Sequence, residues 1–206
     1  MSDKPIIFNP LDKKNLGASV ANSLLSQSVH PLGRLKDFTG AGVYAIYYTG
    51  KFPAYAAIAS LNLRDKFDTP IYVGKAVSAG SRKGGHLESE SSKVLYRRLC
   101  EHAESLRSVE NLDIDDFYCR YLVVEEIWIP LGESLLISRF TPIWNNLIDG
   151  FGNHDPGGGR YQGMRPRWDV IHPGRKWALK CKERLETVES ITNEIKAFLR
   201  DIKKKE

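Results

Sequence analysis

The stretch Gly42-Val43-Tyr44-Ala45-Ile46-Tyr47-Tyr48 decides the fold, because it packs β-branched and aromatic residues into a short run behind the glycines Gly40 and Gly42. Such a run reads as a buried strand. A second run, residues 70–73, reads as another short strand stopped at Gly74, after a long connection over residues 49–69. Residues 117–129 are β-prone and read as a third strand. Around these lie helical patterns. Leu16, Val20 and Leu24 share one face of a helix over residues 12–27, with Asp12 as its N-cap and His30-Pro31 beyond its end. Ser92 caps a helix running to about Arg107, with Val94, Leu95, Leu99 and Leu106 inward, and residues 131–140 form a short helix ended before Pro142. Two early strands joined directly and framed by helices predict an α+β fold, a small antiparallel sheet flanked by helices.

Beyond residue 145 the chain is polar and glycine-rich as far as Gly163, which predicts a loop containing Gly157-Gly158-Gly159. A long helix is expected over residues 177–205, on the spacing of Cys181, Leu185, Val188, Ile195, Leu199 and Ile202. Its apolar seam serves either the chain's own core or a second copy. The reading is one domain over 1–206: a core over 41–146, an N-terminal helical arm over 1–40, and a C-terminal loop and helix over 147–206.

A net charge of +5 over 206 residues favours an anionic partner without choosing one. No run is apolar enough to span a membrane, and residues 1–11 lack the pattern of a signal peptide. The cysteines, Cys100, Cys119 and Cys181, are scattered, which argues against a zinc site or a disulfide framework and suits a reducing bacterial cytoplasm.

Five features then follow one another in order: Gly42-Val43-Tyr44; Tyr72-Val73-Gly74-Lys75; Arg98 with His102 one helical turn later; Glu133 near a helix start; and Trp144-Asn145 after Pro142. Each alone is weak. Isolated strand tyrosines are ordinarily packing residues, and helix charges are ordinarily solvated. As an ordered set over residues 41–146, they resemble the GIY-YIG nuclease family, whose two name motifs match Gly42-Val43-Tyr44 and Tyr72-Val73-Gly74. Its helix arginine matches Arg98, its metal-binding glutamate Glu133, and its asparagine Asn145. Valine stands for isoleucine in both motifs, a swap that keeps strand propensity. Residues 52–69 and 79–93 look like insertions, and Arg97 adjoins Arg98; Arg98 is preferred for its spacing to His102 and Leu95.

The resemblance implies metal-assisted phosphodiester hydrolysis. Glu133 would hold one Mg²⁺ per site, with Mn²⁺ as a substitute, because Mg²⁺ takes few protein oxygens and keeps waters. Arg98 would hold a non-bridging phosphate oxygen with its planar fork. Tyr44 or Tyr72 would help deprotonate the attacking water, with preference for Tyr44 as base and Tyr72 as orienting partner. Lys75 and His102 would tune the site, and Asn145 would hold its neighbours in place.

Outside the core, Arg160, Arg165, Arg167, Arg175 and Lys176 follow one another with Tyr161 and Trp168 interleaved, a pattern suited to the DNA backbone. The loop carrying Arg82, Lys83 and His86 is a second candidate for groove contact. The turn Phe151-Gly152-Asn153-His154-Asp155 lacks metal-ligand spacing and is taken as shaping the DNA cleft. Insertions and a C-terminal segment around one core resemble the type II restriction enzymes of the family, and most closely those that cut CCGCGG. A palindromic target in double-stranded DNA argues for a homodimer. The alternatives are a structure-selective repair nuclease and a non-catalytic DNA-binding module. Glu194-Ile195-Lys196 imitates the end of another nuclease motif but has no acid-bearing strand before it.

Overall fold

The computed structural model describes residues 9, 11–78 and 92–203. Four strands form one antiparallel sheet in the order β1-β4-β2-β3: β1 (His30–Pro31), β2 (Gly42–Tyr48), β3 (Tyr72–Ala76) and β4 (Phe117–Val123). The expected α+β class is the one observed.

All seven positions of β2 are buried, so the strand is covered on both faces. Side chains alternate across a strand, and the two sets enter different cores. Tyr44, Ile46 and Tyr48 face α2 (Ala56–Asn62), α3 (Val94–Arg107) and the C-terminal segment. Val43, Ala45 and Tyr47 face α1 (Lys13–Leu25) and α4 (Ile129–Phe140). Double coverage explains why this strand is apolar throughout instead of alternating with polar residues.

α1 begins as expected, with the Asp12 carboxylate accepting the Lys14 N–H at 2.8 Å. Other boundaries differ. The connection over 49–69 contains α2 behind a 3₁₀ turn at Pro53–Tyr55. β3 continues through Gly74 to Ala76, because Gly74 pairs opposite Tyr44. β4 ends at Val123, short of the expected 129, and a 3₁₀ turn at Glu126–Trp128 leads into α4. Pro130 lies in the first turn of α4, where its missing N–H has no helical partner to lose. Thr141, left-handed at φ 45°, and Pro142 end α4. Two short helices, α5 (Ile143–Asn146) and α6 (Arg167–Ile171), bracket the polar segment.

The last helix, α7, spans Val188–Lys203. The Thr187 hydroxyl accepts the Ser190 N–H at 3.1 Å and caps it. Ile191, Ile195 and Leu199 enter the core that holds Tyr44. The seam is therefore used within the chain. Upstream, Cys181 is buried in irregular backbone and Leu185 is fully exposed, so their helical spacing is coincidental.

Candidate active site

Strand register builds the site. Tyr44 lies opposite Gly74, and a Cβ at position 74 would sit 2.4 Å from the Tyr44 Oη. The second motif therefore ends in glycine to leave room for the tyrosine of the first. Tyr44 Oη lies 2.6 Å from His102 Nε2. His102 reaches it because α3 buries Leu95, Leu99, Ala103 and Leu106 on one face and carries His102 inward with them.

Burial governs the electrostatics of this pair. It holds the Tyr44 phenol well above its ordinary range; Tyr72 adds to the rise and the Arg98 charge opposes it. Burial, reinforced by the charges of Arg98 and His154, holds His102 well below the usual histidine range. His102 is therefore neutral at neutral pH, and its surroundings disfavour the protonated ring. Tyr72 is also raised by burial, opposed by Arg98. The two tyrosines differ in access: Tyr44 is fully enclosed, whereas Tyr72 is only half-buried. Of the two, Tyr72 is therefore the tyrosine open to the groove, whereas Tyr44, the base preferred on sequence grounds, is closed off from it.

Arg98 is partly buried and points toward Tyr44, while its neighbour Arg97 is exposed. Its Nη2 donates to the Gly152 carbonyl at 2.7 Å, and its Nη1 meets Glu101 Oε2 at 3.2 Å and the His154 ring. The turn over residues 150–154, which the sequence marks only as cleft-shaping, is thus part of the site. Phe151 stacks on His102 with ring centres 4.6 Å apart and 16° between planes, and it meets Tyr72 edge-on. A Cβ on Gly152 would lie 2.6 Å from the Tyr72 Oη. Nothing in the local sequence marks these contacts, since they run through a backbone carbonyl and an ordinary aromatic ring.

Alternate residues of β3 face the other layer, so Lys75 points toward α4 and its Nζ meets Glu133 Oε2 at 2.7 Å. Because β3 is the edge strand, the two halves of the site wrap around one sheet edge. The Glu133 charge is felt by both Tyr44 and Tyr72. Asn145 completes the edge. Its Oδ1 accepts the Val73 N–H and its Nδ2 donates to the Val73 carbonyl, both at 2.8 Å. A side-chain amide offers one donor face and one acceptor, so it satisfies the two outward backbone groups of an edge-strand residue. Asn145 thus positions Tyr72 and Gly74.

Among the described residues no cluster of three or more His, Cys, Asp or Glu gathers to hold a metal. One half-buried carboxylate facing an ammonium, beside room for phosphate and water, suits Mg²⁺, which needs one or two protein carboxylates.

An open groove of about 420 Å³ runs beside this edge, lined by Lys75, Val77, Val94, Arg97, Arg98, Glu101 and His154. His154 also lines a neighbouring groove with Met164 and Trp177. Of the basic residues expected at DNA, Arg82, Lys83, His86 and the Arg160 side chain lie outside the described residues. Lys176 is exposed. Arg167 is largely buried, bound to Glu194 at 2.5 Å and Glu186 at 3.0 Å, and Arg165 donates to the Ala178 carbonyl. Arg175 corrects the expectation: its side chain is 4% exposed and closed on Asp169, so it faces the interior instead of a ligand.

No helix among the described residues is long and apolar enough to cross a membrane. No curated protein matches the chain. The model of the Eco29kI GIY-YIG domain matches residues 36–199, a span that takes in β2, β3 and β4, the site and most of α7. The chain belongs to the Eco29kI GIY-YIG family of restriction-type nucleases.

Proposed function

We propose that the protein is a Mg²⁺-dependent type II restriction endonuclease that hydrolyses duplex DNA at a short palindrome, acting as a homodimer, with CCGCGG as the candidate target. The observation that carries this reading is the convergence of Tyr44, Tyr72, Arg98 and His102 on one face of the β3 edge, with Lys75 and Glu133 just around it.

Glu133 would hold the metal, which when bound would supply positive charge at the diester; Mn²⁺ would serve as a substitute. Arg98, already presented by the Gly152 carbonyl, takes a non-bridging phosphate oxygen. Tyr72 meets the water at the groove. The water proton passes to Tyr72, the Tyr72 proton to Tyr44, and the Tyr44 proton to the neutral His102, as the water oxygen bonds to phosphorus, the bond to the leaving sugar oxygen breaks, and that oxygen takes a proton from a solvent water in the open groove. A shared relay spares both buried phenols a negative charge, and because burial disfavours the imidazolium as well, His102 holds the proton only transiently. Lys75 steadies Glu133 and shares its charge. Lys176, Arg82, Lys83, His86 and Arg160 are candidates for backbone contact along the duplex.

The test is a panel of sequenced plasmids digested with Mg²⁺ and with chelator. Discrete, metal-dependent fragments support restriction, and their ends report the palindrome. Cutting confined to forks, flaps or lesions indicates a repair nuclease, and tight binding without cutting indicates a binding module. An intact CCGCGG-bearing plasmid removes that target. Sedimentation with a palindromic duplex should show two chains per duplex. Tyr72→Phe should slow cleavage at least as much as Tyr44→Phe; a fully active Tyr72→Phe sinks the relay order.

A further inference from the structure

Arg175, a DNA contact by its sequence surroundings, is instead the most heavily bonded guanidinium near the site. Its Nε and Nη2 grip the two Asp169 oxygens at 2.6 and 2.5 Å. Its Nη1 donates to the carbonyls of Phe151 at 3.2 Å and Asn153 at 3.0 Å, and its Nη2 donates to that of Gly150 at 2.9 Å. All five N–H donors of the guanidinium are thereby used. The group lies between two indoles, 4.5 Å from the Trp168 ring centre and 4.8 Å from that of Trp177. Burial pushes the Asp169 carboxyl up, and the paired guanidinium opposes it.

The pattern of carbonyls is the informative part. In the turn over 150–153, Arg175 takes the carbonyls of Gly150, Phe151 and Asn153, and Arg98 takes that of Gly152. Two arginines therefore share four consecutive carbonyls, one arginine buried and one at the groove. The same turn places Phe151 on His102 and Gly152 against Tyr72. A buried ion pair is by itself weak evidence of anything beyond packing. Here the pair is fastened to a segment whose outward contacts are Arg98, His102 and Tyr72.

We propose that Arg175, braced by Asp169, is a positioning residue for the reaction: it fixes the 150–153 turn so that the Gly152 carbonyl orients the Arg98 guanidinium toward the phosphate. This rests on the nuclease reading above. Lysine at 175 keeps the charge and can pair with Asp169, but its single ammonium cannot hold three carbonyls and a carboxylate in one plane.

The experiment is a double-mutant cycle of Arg175→Lys and Arg98→Ala, read as single-turnover cleavage with Mg²⁺ and as duplex affinity with Ca²⁺, at a temperature where each variant is fully folded. Arg175→Lys should slow cleavage on the order of 10–100-fold with affinity changed less than about threefold, since small misplacements cost rate rather than binding. In the Arg98→Ala background it should cost nothing further. Equal losses in both backgrounds overturn the proposal. If Arg175→Lys does not fold, Asp169→Asn, which leaves the three carbonyl bonds in place, takes its position in the cycle with the same criterion and a smaller expected loss. The side-chain Nε–H signal of Arg98, assigned by its absence in Arg98→Ala, gives a readout independent of activity. It should shift in Arg175→Lys; an unchanged signal overturns the clamp even if the chain cleaves DNA, and a shifted one supports it even if no duplex is cut.

Discussion

Two tyrosine–histidine pairs are buried among the described residues, and they differ in what surrounds them. Tyr55 Oη lies 2.8 Å from His172 Nε2, and Tyr44 Oη lies 2.6 Å from His102 Nε2. In the first pair the hydrogen-bonding neighbours are neutral donors and acceptors. His172 Nδ1 meets Asn111 Oδ1 at 2.9 Å, Trp144 Nε1 donates to the Tyr55 hydroxyl at 3.0 Å, and the Asn111 amide continues to the Ile171 carbonyl. That network closes on itself. The second pair has a cation, Arg98, and a half-buried phenol, Tyr72, beside it at the groove. The same two residue types make a structural lock where their partners are saturated and, on the proposed reading, a proton path where one side opens toward charge and solvent. The pairs are joined through rings: Trp144 packs on Phe151 at 4.5 Å, and Phe151 stacks on His102.

Exchanging one histidine at a time should separate these roles. The largest effect belongs to His102→Gln, which removes the proposed terminal proton acceptor and should slow single-turnover cleavage by about 10²–10⁴-fold while circular dichroism shows a folded chain. His172→Phe should do the reverse. It leaves the Tyr55 hydroxyl and Asn111 short of partners, so unfolding in urea should show a loss of about 2–4 kcal/mol, with cleavage by the folded fraction nearly intact. If His172→Phe abolishes cleavage without loss of stability, the contrast between the pairs fails.

A smaller effect comes from pH. Burial holds His172 at about 3, below its ordinary 6.5, so the unfolded chain takes up the proton first. Stability is therefore full above about pH 6.5 and declines as the pH falls toward 3, by about 2 kcal/mol at about pH 5 from this residue. Urea titrations across that range should show the decline, and His172→Phe should remove its share. Cleavage should behave differently: with His102 also held below the usual range, the rate should stay level through pH 6.5 and drop only at lower pH. An acid limb centred above pH 6.5 would contradict a neutral, buried acceptor. The smallest effect is expected of Asn145→Ala, about 1–2 kcal/mol of stability from two lost bonds to the β3 edge, with a modest loss of rate.

The parts of the site that are legible in the sequence are those whose side chains are themselves the signal. Tyr44, Tyr72, Arg98, His102, Glu133 and Asn145 occur in order, and the fold brings them to one sheet edge. The 150–154 turn is not legible, because Gly152 acts through its carbonyl and Phe151 through ring packing that any aromatic residue could suggest. Arg175 misleads for a related reason. Charge along a sequence does not reveal burial, and its counter-charge Asp169 and the indoles Trp168 and Trp177 stand out only as a mixed basic and aromatic stretch. In the fold, β2 is clear because seven apolar positions in a row leave little alternative. The start of α7 is not, since Cys181 and Leu185 share its spacing by coincidence and Thr187 sets the true beginning.

The most direct measurement is cleavage of sequenced plasmid DNA with Mg²⁺ by the parent chain and by Glu133→Ala, alongside duplex binding by both. Discrete fragments from the parent, lost in Glu133→Ala while binding persists, are predicted. A folded parent that cuts no duplex, or a Glu133→Ala variant that cuts as well as the parent, would contradict the assignment of metal-assisted hydrolysis to this site.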